Sequence, residues 1–243
     1  MKRWIVPVLA VLAIAGFAFT VWGVFETTPL QVSIAADPLN PQRGVPSPAS
    51  LFFNQKIFYY HVANAFMLFM AVFTCGVCSV GYLARRKPAW DDVALAGAEV
   101  AVLFGAVVLV TGSIWAKAAW DLWWVWEKRL TMSLLLWLIL VGYVLVRKFA
   151  GPSADRVAAG MAIFGMVGVP FIYTMVGQDS HPNSGLNGTV FTLGARLIPP
   201  FLASMITFFL WFAALVTARV QSTRDEREIR ELREQGLDLG VLQ

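Results

Sequence analysis

Polar and apolar positions along this chain separate into long blocks, not into the alternation of a half-buried strand or the narrow stripe of a soluble helix. Six apolar stretches run at about 4–25, 52–84, 93–111, 132–146, 157–176 and 197–218, with charged or proline-rich segments between them. A helix needs roughly 20 apolar residues to cross a ~30 Å hydrocarbon core, so each stretch is read as one span. The second is longer than that and is expected to project from the membrane. The fourth is short and borrows length from the tryptophan-rich segment ahead of it. The pattern predicts an all-α integral membrane protein with six transmembrane helices and no internal repeat.

Composition agrees. Hydrophobic residues make up 58% of the chain and charged residues 14%, with mean hydropathy +0.66, whereas a soluble domain carries about 25% charge. The first stretch follows Lys2 and Arg3 and so resembles a secretory signal, with Ser33-Ile34-Ala35-Ala36 as a weak cleavage candidate downstream. It is longer than the usual apolar region of about 7–15 residues and five spans follow it, so it is read as a retained helix.

Thirteen of the 19 basic residues (Lys2, Arg3, Arg85, Arg86, Lys87, Arg147, Lys148, Arg156, Arg219, Arg224, Arg227, Arg230 and Arg233) fall on one side of a six-span arrangement. Basic residues gather on the cytoplasmic side of membrane proteins. Both termini are therefore expected in the cytoplasm, and the 26–54, tryptophan-rich and 177–196 segments outside. The net charge of +4 reflects this anchoring in lipid and gives no reason to invoke nucleic acid. Residues 1–222 form the expected membrane domain. Residues 223–243 form a charged cytoplasmic tail, helical from Thr223 to Gln235 and ending at Gly236. This tail is read as solvated, with a docking role for Ile229 and Leu232 as the alternative.

Five of the ten tryptophans occupy the twelve residues from Trp115 to Trp126. Read as a helix at 100° per residue, Trp115, Trp126, Trp123, Trp120 and Trp124 fall at about 0°, 20°, 80°, 140° and 180°. Lys117, Asp121, Lys128 and Arg129 take the opposite half. The expectation is an external amphipathic helix between spans three and four, lying in the interface. An aromatic belt is the ordinary explanation for interfacial tryptophan, but belts scatter aromatics over many helix ends. This density suits a flat apolar ligand. Glu127 is anomalous, a carboxylate inside the aromatic arc or the mark of a break in the helix.

The only two histidines, His61 and His181, are both expected near the outer surface, one on each side of the tryptophan segment in sequence. Either alone is readily explained as a hydrogen-bonding side chain. Together beside an aromatic platform they also suit axial ligation of haem iron. Cys75-Gly-Val-Cys78 lies deep in span two, and Ser79 stands where covalent c-type attachment needs histidine, so the pair is read as buried small residues. Glu99 and Asn64 are intramembrane polar groups, either packing contacts or the lining of a path.

The segment Gly112-Ser113-Ile114-Trp115, then Trp120-Asp-Leu-Trp123-Trp124-Val-Trp126-Glu127-Lys128-Arg129-Leu130-Thr131, resembles the tryptophan-rich WWD motif of haem-handling membrane proteins. The Arg-Leu-Thr ending resembles the cytochrome c maturation protein C branch, CcmC, and not the CcsA-type synthases. The resemblance covers most of the chain. It implies non-enzymatic haem delivery in c-type cytochrome biogenesis, at the outer (periplasmic) face of a bacterial cytoplasmic membrane. Haem b, held non-covalently in transit, would pass to the chaperone CcmE alongside CcmA, CcmB and CcmD. Carried over, the WWD segment is 112–131, His61 and His181 are the axial ligands, and Trp115, Trp120, Trp123, Trp124 and Trp126 form the platform. Glu127 stands where the family usually has aspartate, and Lys128 where a small residue is common. Arg129 is a candidate partner for a haem propionate. The competing readings are a CcsA-type haem lyase, a plain permease subunit of a haem exporter and a b-type electron carrier. A lyase usually needs more spans and histidines, and a b-type carrier needs histidines within the bundle.

Overall fold

The computed structural model describes residues 4–26, 28, 54–151, 154–174 and 197–239. Six helices occur among them: α1 (Ile5–Glu26), α2 (Asn54–Arg85), α3 (Pro88–Trp120), α4 (Lys128–Phe149), α5 (Ala154–Thr174) and α6 (Ile198–Asp238). The described residues contain no strand, and all six helices are long and apolar enough to cross a bilayer. The chain is an all-α, multi-pass membrane protein, as the block pattern predicts.

Helices α3 and α4 run past both ends of the apolar stretches from which they were read, and α6 runs past the end of its own. Arg86, at φ 53°, closes α2 in the left-handed region with its N–H on the Tyr82 carbonyl, and Pro88 opens α3 where a missing N–H costs nothing. At 1.5 Å per residue the 33-residue α3 is about 50 Å long and outreaches the hydrocarbon core.

Helices α2 and α3 form the central pair, with α6 against both, α5 against α2 and α4, and α1 on α6. Without water to drive apolar burial in lipid, such contacts depend on close backbone approach. A β-carbon at Gly97 would lie 2.9 Å from the Cys75 amide nitrogen, so only glycine lets α3 meet α2 there. Thr20 and Thr207 join α1 to α6 by a 3.0 Å hydroxyl–hydroxyl bond. Most of the remaining surface of α1, including Val11, Phe19 and Trp22, faces outward. The apolar core at mid-bundle gathers Met67, Val72, Phe104, Leu140 and Phe208.

One end of the bundle is charged. Arg147 binds Asp91 at 2.6 Å, Arg219 holds Glu99 with two donors, and Arg227 forks onto Asp92 at 2.6 and 2.9 Å. Glu99 is therefore a helix-packing ion pair. Asn64, almost wholly buried, donates to the Tyr60 carbonyl of its own helix. Cys75 and Cys78 are buried free thiols.

The tail is part of α6. That helix passes residue 222 unbroken and continues to Asp238, beyond the expected stop at Gly236. Its first turns are tied back to α3 through Arg224 and Arg227 on Asp92. Ile229 and Leu232 beyond them are exposed.

Candidate functional site

At the opposite end, α1, α2, α3 and α6 meet in an aromatic cluster. The imidazole of His61, two turns into α2, is buried. Its Nδ1 lies 2.8 Å from the Thr111 hydroxyl on α3. That hydroxyl already gives its single proton to the Val107 carbonyl, 2.7 Å away and one turn back. It therefore accepts from His61, which places a ring proton on Nδ1 and, in the neutral imidazole, leaves the lone pair on Nε2.

Gly112 and Trp115 lie on the same face of α3 as Thr111. A β-carbon at Gly112 would come 3.1 Å from His61 Cε1, so glycine makes room for the ring. The Trp115 indole meets the imidazole edge to face, with centroids 5.7 Å apart and planes at 76°. Phe58 packs on Trp115 at 6.4 Å and on Phe201 of α6 at 5.6 Å. Lys56 donates to the Val24 and Phe25 carbonyls at the end of α1, satisfying acceptors that a helix terminus leaves open.

The tryptophan segment departs from the single interfacial helix expected from the sequence. Its first part completes α3, which includes the backbone of Trp120. Asp121 then takes φ 62° and ψ 20°, with its N–H on the Lys117 carbonyl. Aspartate tolerates this left-handed conformation better than most residues. Residues 121–127 are not helical, and α4 begins at Lys128. The one-sided arrangement of five tryptophans therefore does not hold.

Trp115 faces the buried His61. Trp123 and Trp126 are 61% and 76% exposed, while Trp124 is half-buried and packs edge to face on Trp126 at 5.8 Å. The Trp124 indole nitrogen is buried with no hydrogen-bond acceptor among the described residues. Glu127 stands at the N-cap position of α4, at φ −87° and ψ 162°, and its side chain makes no capping hydrogen bond. A carboxylate there meets the positive end of the helix dipole, which explains its place among tryptophans. Arg129 lies in the first turn of α4, half-buried. On the exposed shoulder, Lys117 pairs with Asp121 and holds its carboxyl below the usual aspartate range by hydrogen bond and charge.

His181 lies outside the described residues. Thr111 was not a candidate from the sequence, Gly112 entered only as the first residue of the tryptophan motif, and Lys56 was not a candidate. The signal for the first two was present as Thr111-Gly112-Ser113, a polar interruption just before Trp115.

A family model described as Heme exporter protein C matches residues 46–235. The chain belongs to the Heme exporter protein C family. The match takes in α2–α5 and most of α6, with His61, Thr111, the tryptophan segment and His181, and leaves out α1. A Heme exporter protein C from Bradyrhizobium diazoefficiens is 31% identical over 182 residues, covering 73% of this chain and 69% of its own. The Heme exporter protein C of Escherichia coli is 29% identical over 174 residues, 69% of each chain. A ccmC-like mitochondrial protein of cytochrome c biosynthesis from Marchantia polymorpha is 33% identical over 161 residues, covering 65% and 68%.

Proposed function

We propose that this chain holds haem b, non-covalently and as cargo, at the tryptophan-bearing end of the bundle, and delivers it for c-type cytochrome biogenesis. His61 and His181 are the axial ligands. Trp115, Trp120, Trp123, Trp124 and Trp126 supply apolar contacts, and Arg129 faces a propionate. Glu127 stabilises the start of α4, which carries Arg129. The cargo passes to the chaperone CcmE, with CcmA, CcmB and CcmD as the other subunits. The protein lies in a bacterial cytoplasmic membrane with both termini inside and the haem end outward.

The observation that carries this reading is the setting of His61. Its Nδ1–H is committed to Thr111, and iron takes an imidazole whose other nitrogen is anchored in this way. The residues fit the group in two further respects. Trp123 and Trp126 offer exposed apolar area on the loop that follows α3, suited to a porphyrin face. Most basic residues of the described helix ends gather at the far end, with Lys56, Lys117, Lys128 and Arg129 at the tryptophan end, in keeping with a cytoplasmic location for the far end. The thiols of Cys75 and Cys78 are buried in α2, so haem held at the tryptophan end forms no thioether to this chain.

Each protein residue has a limited task. His61 donates its Nε2 lone pair, Trp115 fixes the imidazole plane, and the tryptophans exclude water from the porphyrin face. Release then needs only ligand exchange. The test is to load the purified full-length protein with haem and mix it with CcmE or with apocytochrome c. Delivery predicts transfer to CcmE and none to apocytochrome alone. Thioether formation on apocytochrome without CcmE would show a lyase instead.

A further inference from the structure

We infer that Thr111 is a positioning residue for haem, acting through His61. The inference rests on the reading of His61 as an iron ligand and adds the group that prepares it. Three residues form a directed chain: His61 Nδ1–H gives to Thr111 Oγ1 at 2.8 Å, and Thr111 O–H gives to the Val107 carbonyl at 2.7 Å. The Val108 carbonyl lies at 3.3 Å from the same hydroxyl, so its proton is held in the turn behind it. A hydroxyl committed in this way is an acceptor toward the imidazole.

Two consequences follow for the metal. In the neutral imidazole the tautomer is fixed with its lone pair on Nε2, the nitrogen that would bind iron. The acceptor on Nδ1–H also draws that proton outward and makes Nε2 a stronger donor, which favours ferric over ferrous iron. Gly112 and Trp115 complete the setting. One leaves 3.1 Å for a β-carbon beside Cε1 and the other meets the ring edge to face, so the imidazole is held in position as well as in tautomer. Outer partners of metal-bound histidine are typically worth about 10–100-fold in affinity.

The experiment titrates haemin into the full-length protein in detergent and reads the dissociation constant, the low-spin fraction and the midpoint potential. The variants are Thr111→Val, which keeps the shape and loses the hydroxyl, Thr111→Ser, which keeps the hydroxyl, His61→Ala, and His61→Ala with Thr111→Val. Thr111→Val is expected to weaken haemin binding about 10–100-fold and to move the potential in the positive direction. Thr111→Ser should restore both, and Thr111→Val should add nothing once His61 is gone. If Thr111→Val does not fold by circular dichroism, Thr111→Ala decides in its place.

Wild-type affinity and potential in the variant lacking the hydroxyl overturn the inference. So does a loss of equal size in the His61→Ala background, because Thr111 then acts on the fold and not through the ring. If His61→Ala itself retains the low-spin spectrum, the ligand reading fails first. The single histidine variant therefore separates the two failures.

Discussion

Asp92 on α3 is 3% exposed and receives both donors of the Arg227 guanidinium on α6, at 2.6 and 2.9 Å. The two residues are 135 positions apart, and Arg224 stands 3.7 Å from the same carboxylate as a second cation. The bridge fixes the start of α3 against the part of α6 that continues beyond the apolar stretch. Truncating the two sides has unequal consequences. Arg224→Ala with Arg227→Ala leaves a buried carboxylate uncompensated, at a cost of about 3 kcal/mol. Asp92→Ala leaves only partly exposed arginines, which reach solvent at a cost of about 1 kcal/mol. Unfolding in mild detergent checks the order, and the reverse order contradicts it.

Gly97→Ala tests the close approach of the central pair. The new methyl would meet the Cys75 backbone nitrogen at 2.9 Å, and backbone cannot step aside as a side-chain end can. A loss of about 1–3 kcal/mol is expected, read as a lower midpoint of thermal unfolding. An unchanged midpoint would mean that α2 and α3 are not held at this spacing.

The exposed tryptophans should separate from the half-buried Trp115. Trp123→Ala and Trp126→Ala remove apolar area that is 61% and 76% exposed, so they should weaken haem retention without altering stability by more than about 0.5 kcal/mol. Trp115→Ala also removes the support of His61 and Phe58 and should lower both. Haem content per protein, measured with the unfolding midpoint, distinguishes the two classes.

The pairing of Lys117 with Asp121 gives a pH signature. The folded-state carboxyl lies below its ordinary value, so its contribution is present above the unfolded value of about 3.9 and is lost as pH falls through the depressed folded value. Tryptophan emission from the segment after α3 should shift in that acid window and stay constant from pH 5 to 8. Asp121→Asn should abolish the acid shift, and its persistence in that variant would assign it to another carboxylate.

Much of the fold could be read from the chain because lipid demands long apolar runs, and such runs are visible without knowing what they touch. The helical wheel, which assumes one continuous helix, hid the extent of the break in the tryptophan segment, although Glu127 was one reading's mark of a break. Asp121 and Glu127 were the local signals, one tolerant of the left-handed region and one suited to a helix start. The pairing of Asp92 with Arg227 was not legible, because sequence shows charges and not which of them meet. His61 was legible as a rare residue near tryptophans. Its anchor Thr111 was not, since one hydroxyl in an apolar run usually bonds its own helix, and this one does so as well.

The most direct test is the low-temperature paramagnetic resonance and absorption spectrum of the haem-loaded full-length protein, compared with His61→Ala and His181→Ala. Ligation by the two imidazoles predicts a six-coordinate low-spin ferric signal that each substitution converts to high spin, with haem content reduced. Unchanged haem content and an unchanged low-spin signal in both variants would contradict histidine-held haem at this end of the bundle.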